Sequence, residues 1–198
     1  MPSAEALAEP MRSRWSPSIF DAEHRLTREQ VETLLHAAQW APSYGNTQPW
    51  AFVVAERGSA GHRVLVEHLS RGNSRWVPRA SVVFVTATQV AADPDGNELR
   101  GAFYACHDLG QAAAHLTLQA RAMGLHAHQF GGFDRDAVAA RLGVPEWFRV
   151  MSGIAVGIRG NAEEVPEPDR DREQRERRRR PLAEFVYGGS WGHPWSAG

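Results

Sequence analysis

The sequence predicts an α+β domain with helices packed on a sheet. Two helical patterns, one after Thr27 and one from Phe103 to Met123, carry apolar residues at three- and four-residue spacing, which gathers them on one face. Phe52 to Ala55, Val82 to Val85 and Val150 to Ile158 are short apolar runs of strand length. At 198 residues the chain has the size of one domain with a substantial core.

Composition narrows the function classes. The formal net charge of −1 provides no overall field to draw in nucleic acid. No apolar stretch approaches the roughly 20 residues that span a bilayer, and the N-terminus lacks a signal-peptide core. A single cysteine excludes an internal disulfide, which suits a reducing compartment. A cytoplasmic protein with no membrane or nucleic-acid partner is expected.

In chain order, residues 1–10 are polar and proline-bounded and read as a mobile arm. Thr27-Arg28-Glu29-Gln30 is a capping box, and Val31, Leu34, Leu35 and Ala38 follow as one apolar stripe. Pro42 stops that helix, because the residue before a proline is pushed out of the α region. The next stretch, Ser43-Tyr44-Gly45-Asn46-Thr47-Gln48-Pro49-Trp50, turns at Gly45 and leaves Ser43, Asn46 and Gln48 as uncharged hydrogen-bonding groups. Such a loop between apolar elements suits a small-molecule site, and it serves equally as a capped helix-to-strand connection.

Val64 to Leu69 suggests a short helix, and the loop from Ala91 to Glu98 is brief. The long pattern ending at Gly124 is rich in alanine, so another helix could approach it closely. Cys106 inside it reads as a small buried hydrophobe rather than a nucleophile. His126 and His128 would share one strand face, but two histidines without other ligands are a poor metal signal, and a packed or site-lining role suits His128. Asp134 caps a helix from Arg135 to Leu142. From Glu163 to Arg180 the chain is nearly all charge and proline and reads as a solvated connector. The aromatic segment Phe185 to Trp195 beyond it needs a hydrophobic partner.

Five segments together resemble the FMN-dependent nitroreductase family. They are Arg14-Trp15-Ser16-Pro17-Ser18-Ile19-Phe20, Pro42-Ser43-Tyr44-Gly45-Asn46-Thr47-Gln48-Pro49-Trp50, Asp108-x-Gly110 in the long helical pattern, Gly131-Gly132-Phe133-Asp134 and the basic run at Arg175 to Arg180. The resemblance runs from about Arg12 to Trp191, and Asn46-x-Gln48-Pro49-Trp50 is its most specific piece. It implies a mixed, mostly antiparallel sheet flanked by helices in an obligate homodimer, with one FMN at each of two interface sites. Residues 11–160 would form the FMN-binding core, and 161–198 a connector and tail packing on the partner subunit.

The resemblance also implies residue roles. Arg14 would hold the FMN phosphate, with Trp15 and Ser16 beside it, helped by Arg178 and Arg180 of the tail. Pro42, Ser43, Tyr44, Asn46 and Gln48 would reach the flavin largely from the other subunit, and Gln129, Gly131 and Gly132 would run beside the ring near N5. Asn73 is either a flavin contact or a turn former, with Arg75 and Arg79 as secondary candidates. Ser18 stands where a basic residue is expected, so one flavin contact is missing or supplied elsewhere. The implied activity takes a hydride from NADH or NADPH and reduces a small-molecule nitroaromatic or quinone by a ping-pong mechanism, without a catalytic side chain or metal. Two alternatives stay open: a biosynthetic dehydrogenase or oxidase, and an FMN-binding protein without turnover.

Overall fold

The computed structural model describes residues 4–195. Four strands, β1 (Trp50–Glu56), β2 (Val82–Gln89), β3 (His126–Phe130) and β4 (Phe148–Gly157), form one sheet in the order β1-β2-β4-β3. Every neighbouring pair is antiparallel, so the parallel component of the expected mixed sheet is absent from these four strands. Helices α1 (Glu9–Ser13), α2 (Arg28–Gln39), α3 (Ala60–Glu67), α4 (Ala105–Ala122), α5 (Arg135–Leu142) and α6 (Glu167–Glu173) complete the chain.

β2 explains why both sheet faces are covered. Its first seven residues are all buried, and alternate side chains point to opposite faces. Val82 and Phe84 join Leu34 and Ala38 of α2 and Ala112, Leu116 and Ala120 of α4 on one face. Val83 and Val85 join Leu65 of α3, Val138 of α5, Phe20 and Trp76 on the other. The sheet is a middle layer between two apolar cores.

The local signals read from the sequence hold. Thr27 and Gln30 exchange both bonds of the capping box, and Asp134 accepts from the Ala137 amide at 3.0 Å. Three features differ. Glu9 and Pro10 belong to α1 rather than to the arm, since the fixed φ of proline suits a first helical turn. Cys106 is exposed, because it lies outside the α4 stripe of Ala105, Asp108, Leu109 and Ala112. The charged run is not wholly solvated: it forms α6, whose last residue Glu173 is only 8% exposed. No helix among the described residues is long and apolar enough to cross a membrane.

Two histidines should make this fold acid-sensitive. His62 on α3 is buried, and burial, followed by the nearby Arg57, Arg25 and Arg63, lowers its pKa below the ordinary 6.5. His126 is lowered in the same direction by burial and then by Arg121 and Arg159. Below the unfolded pKa the unfolded chain takes up protons that the folded rings refuse, so stability falls with pH until the folded pKa is reached. Above that window both states are neutral at these rings, and they add no slope. Urea midpoints should therefore drop as pH falls from about 7 to about 5, and His62→Gln should shallow that drop. An unchanged slope in the variant would show that His62 contributes nothing to it.

Candidate active site

The residues expected to bind a cofactor fall into two groups at the two ends of α4. The first group is built where the N-terminal segment meets the tail. Arg14 donates to the Ser16 hydroxyl at 3.3 Å, and Arg177 donates to the carbonyls of Arg12 and Arg14 at 3.1 and 3.0 Å. Arg14, Trp15, Ser16, Glu173, Arg175, Arg177 and Arg179 surround a cavity of about 230 Å³. The Arg14 pKa is held below its ordinary value by burial, then by the charges of Arg179 and Arg177. Guanidinium groups stay protonated all the same. Like charges are thus gathered around a space suited to an anion.

Within the run of four arginines, Arg177 and Arg179 face Arg14, whereas Arg178 and Arg180 have other partners. Arg178 pairs with Glu176 at 3.3 Å, and Arg180 lies over the Phe185 ring at 5.6 Å. Alternate side chains of an extended chain point opposite ways, so Arg177 and Arg179 go together toward Arg14.

Arg14 and Ser16 also line a second cavity of about 260 Å³, walled by Ala114, Thr117, Leu118, Ala127 and Gln129. The Gln129 amide donates to the Thr117 hydroxyl at 2.9 Å and to the Ala113 carbonyl at 3.3 Å, which fixes its orientation. The two cavities meet at Arg14 and Ser16, giving a cationic end and an end walled by small side chains. Thr117, Ala114 and Leu118 were not singled out in the sequence. The one available signal was a threonine breaking the alanine-rich helix face.

Gly131 and Gly132 follow β3. The Gly132 carbonyl accepts from the Ser70 amide at 2.9 Å and from Asn73 Nδ2 at 3.1 Å. Asn73 Oδ1 accepts from the Trp76 indole at 3.1 Å, so both ends of the Asn73 amide brace this segment. A Cβ at Gly132 would lie 2.6 Å from both Asn73 Nδ2 and Ser70 Oγ, which explains the glycine. Arg75 lies 3.9 Å from Asp169, and Arg79 pairs with Glu164 at 3.2 Å, so both face the tail. Trp15 packs between Arg159 and His126, while His128 bonds the Pro17 carbonyl and stacks on Trp76. Among the described residues no three metal-ligating side chains converge.

The second group is the loop from Pro42 to Gln48, at the opposite end of α4. Its backbone is left-handed at Gly45, Asn46 and Gln48, with φ of 52°, 58° and 49°. Two of these are not glycine, and such strain concentrates at functional loops. The loop holds itself together: Ser43 Oγ accepts from the Gln48 amide at 3.0 Å, and Gln48 Nε2 donates to the Asn46 carbonyl at 3.4 Å. Asp108, 2% exposed in the first turn of α4, accepts from the Tyr44 amide at 3.0 Å. The Tyr44 ring stacks on Tyr104 with centroids 4.8 Å apart. Asp108 and Thr117 are nine residues apart on α4, about 13 Å along its axis. The loop lines neither Arg14 cavity of its own chain.

The model described as "Nitroreductase family" matches residues 11–72 and 56–158. The chain belongs to the nitroreductase family. A likeness extends over nearly the whole length to a crystal structure described as an oxidoreductase containing FMN. That match has 34% identity and a TM-score of 0.86, and covers 96% of this chain and 95% of the other. Protein DrgA of Synechocystis is 30% identical over 179 residues, 77% of this chain and 83% of its own. An oxygen-insensitive NAD(P)H nitroreductase of Salmonella typhimurium is 26% identical over 171 residues, 67% of this chain and 79% of its own.

The Asp108 bond should be measurable. Asp108→Ala should cost about 1.5–3 kcal/mol in urea unfolding, the scale of losing a hydrogen bond to a charged group, and speed hydrogen exchange at the Tyr44 amide. Asp108→Asn keeps an acceptor and should cost less. Equal losses in both variants would mean that the negative charge, not the bond to Tyr44, holds the loop.

Proposed function

We propose that this nitroreductase-family chain is an FMN-dependent oxidoreductase, working as a cytoplasmic homodimer, that takes electrons from NADH or NADPH and reduces nitroaromatic or quinone-type molecules. The observation that carries this reading is the set of guanidinium groups of Arg14, Arg177 and Arg179 at one end of a cleft that continues along Gln129. A phosphate fits the cationic end, because guanidinium groups grip its oxygens through paired N–H donors. The wall of Ala114, Ala127 and Leu118 leaves room for a flat ring, and Ser16 and Gln129 offer polar groups at its edge. FMN, when bound, supplies the hydride chemistry that side chains lack.

The chain's own residues position and shield. Arg14, Arg177 and Arg179 would neutralise the phosphate, and the backbone at Gly131 and Gly132, braced by Asn73 and Ser70, would flank the ring. Ser43, Asn46 and Gln48 lie away from the Arg14 cavities of their own chain, which favours a dimer in which a second copy brings them to the ring. The exposed aromatic cluster of Phe103 (89%), Tyr104 and Tyr44, whose rings touch in turn, also favours a dimer, since contiguous exposed apolar surface marks association sites.

Two measurements test the reading. Purified protein should bind FMN more tightly than riboflavin, and Arg14→Ala should weaken FMN by about 1.5–3 kcal/mol, the range for a hydrogen bond to a charged group. Equal affinity for the two flavins would remove the phosphate assignment. In the second, steady-state rates with NAD(P)H and a quinone should give parallel double-reciprocal lines, because donor and acceptor use one face in turn. Intersecting lines would require both to bind together.

A further inference from the structure

We infer that Glu173 is a positioning residue that sets which tail arginines face the cofactor phosphate; the inference rests on the FMN reading above. Glu173 closes α6, and its side chain is only 2% exposed. Its Oε2 accepts from the Ser18 amide at 2.7 Å, across 155 positions of sequence. Ser18 is itself buried, 6% exposed, and lies four residues after Arg14. Arg159 approaches the other carboxylate oxygen at 3.6 Å. A charge-assisted bond of this length, out of solvent, is among the stronger single contacts available to a side chain.

Four residues later comes a second anchor. Arg177 donates to the carbonyls of Arg12 and Arg14, so residues 173–177 are pinned to the N-terminal segment at both ends. With both ends pinned, alternation places Arg175, Arg177 and Arg179 on the cavity side and leaves Arg178 to pair with Glu176. Releasing Glu173 frees the first anchor, and the tail can then turn or slip relative to Arg14.

Charge and placement act here with opposite signs. A carboxylate lining the same cavity as Arg14, Arg175, Arg177 and Arg179 opposes any anion bound there. If Glu173 acted only through its charge, removing it would tighten phosphate binding. If it acts by placing the arginines, removing it weakens phosphate binding.

The experiment is fluorescence titration of FMN and of riboflavin into flavin-free wild-type protein and into Glu173→Ala, Glu173→Gln and Glu173→Asp. In Glu173→Ala, FMN affinity should fall about tenfold, the scale of one such contact, while riboflavin affinity holds. Glu173→Gln keeps an oxygen for the Ser18 amide and drops the opposing charge, so it should bind FMN at least as tightly as wild type. Glu173→Asp keeps the charge and loses reach, so it should behave like the alanine variant; it decides the matter if Glu173→Ala does not fold. FMN binding in the alanine or aspartate variant that equals or exceeds wild type would overturn the proposal, as would equal losses of FMN and riboflavin. A wild-type protein with no preference between the flavins would remove the phosphate reading and this proposal with it. A normal wild-type preference with unchanged variants sinks the proposal alone.

Discussion

The close packing of α4 on the antiparallel sheet is the constraint on which the rest of the structure depends. Ala112, Ala113 and Ala120 on its inner face let the helix lie close to Phe84, Ile154 and Val156. That closeness fixes both ends of the helix relative to the strands. At one end Asp108 holds the strained loop through Tyr44, and near the other Thr117 orients Gln129 beside Arg14. A bulkier face would lift α4 from the sheet and shift both groups at once, since packed interiors deform very little.

The second organising feature is electrostatic. Several guanidinium groups share one small region with a single buried carboxylate on its wall. Such a cluster is held in place by covalent reach and backbone hydrogen bonds rather than by its own charges, which repel. Arg177 meets two backbone carbonyls and Glu173 one backbone amide. The remaining positive potential is available to a ligand. The same reasoning explains why Arg178 and Arg180, adjacent in sequence, do something different: one meets an acid and the other a ring.

Much of the fold was legible because its signals are local. Thr27 and Gln30, Asp134, and the apolar stripes of α2 and α4 each state their structure within a few residues. Of the candidate site, the loop was legible because it is self-contained, with Gln48 bonded to both Ser43 and Asn46. Asn73 was only half legible. Its turn is local, whereas its bond to Gly132 links positions 59 residues apart. Cys106 was misread because a helical thiol usually packs as a small hydrophobe, while this helix turns it outward.

The sequence by itself determined the elements, the loop chemistry and a supply of arginines, because capping, helical periodicity and turn preference act between near neighbours. The tertiary structure alone decided which arginines gather around Arg14, that Glu173 is buried against Ser18, and that the cavities and the loop sit at opposite ends of α4. These choices follow from how a charged tail returns across the N-terminal segment. A run of four consecutive arginines has no internal mark of register, so the register is set by distant anchors. Contacts between residues more than 150 positions apart in sequence exist only once the chain has folded.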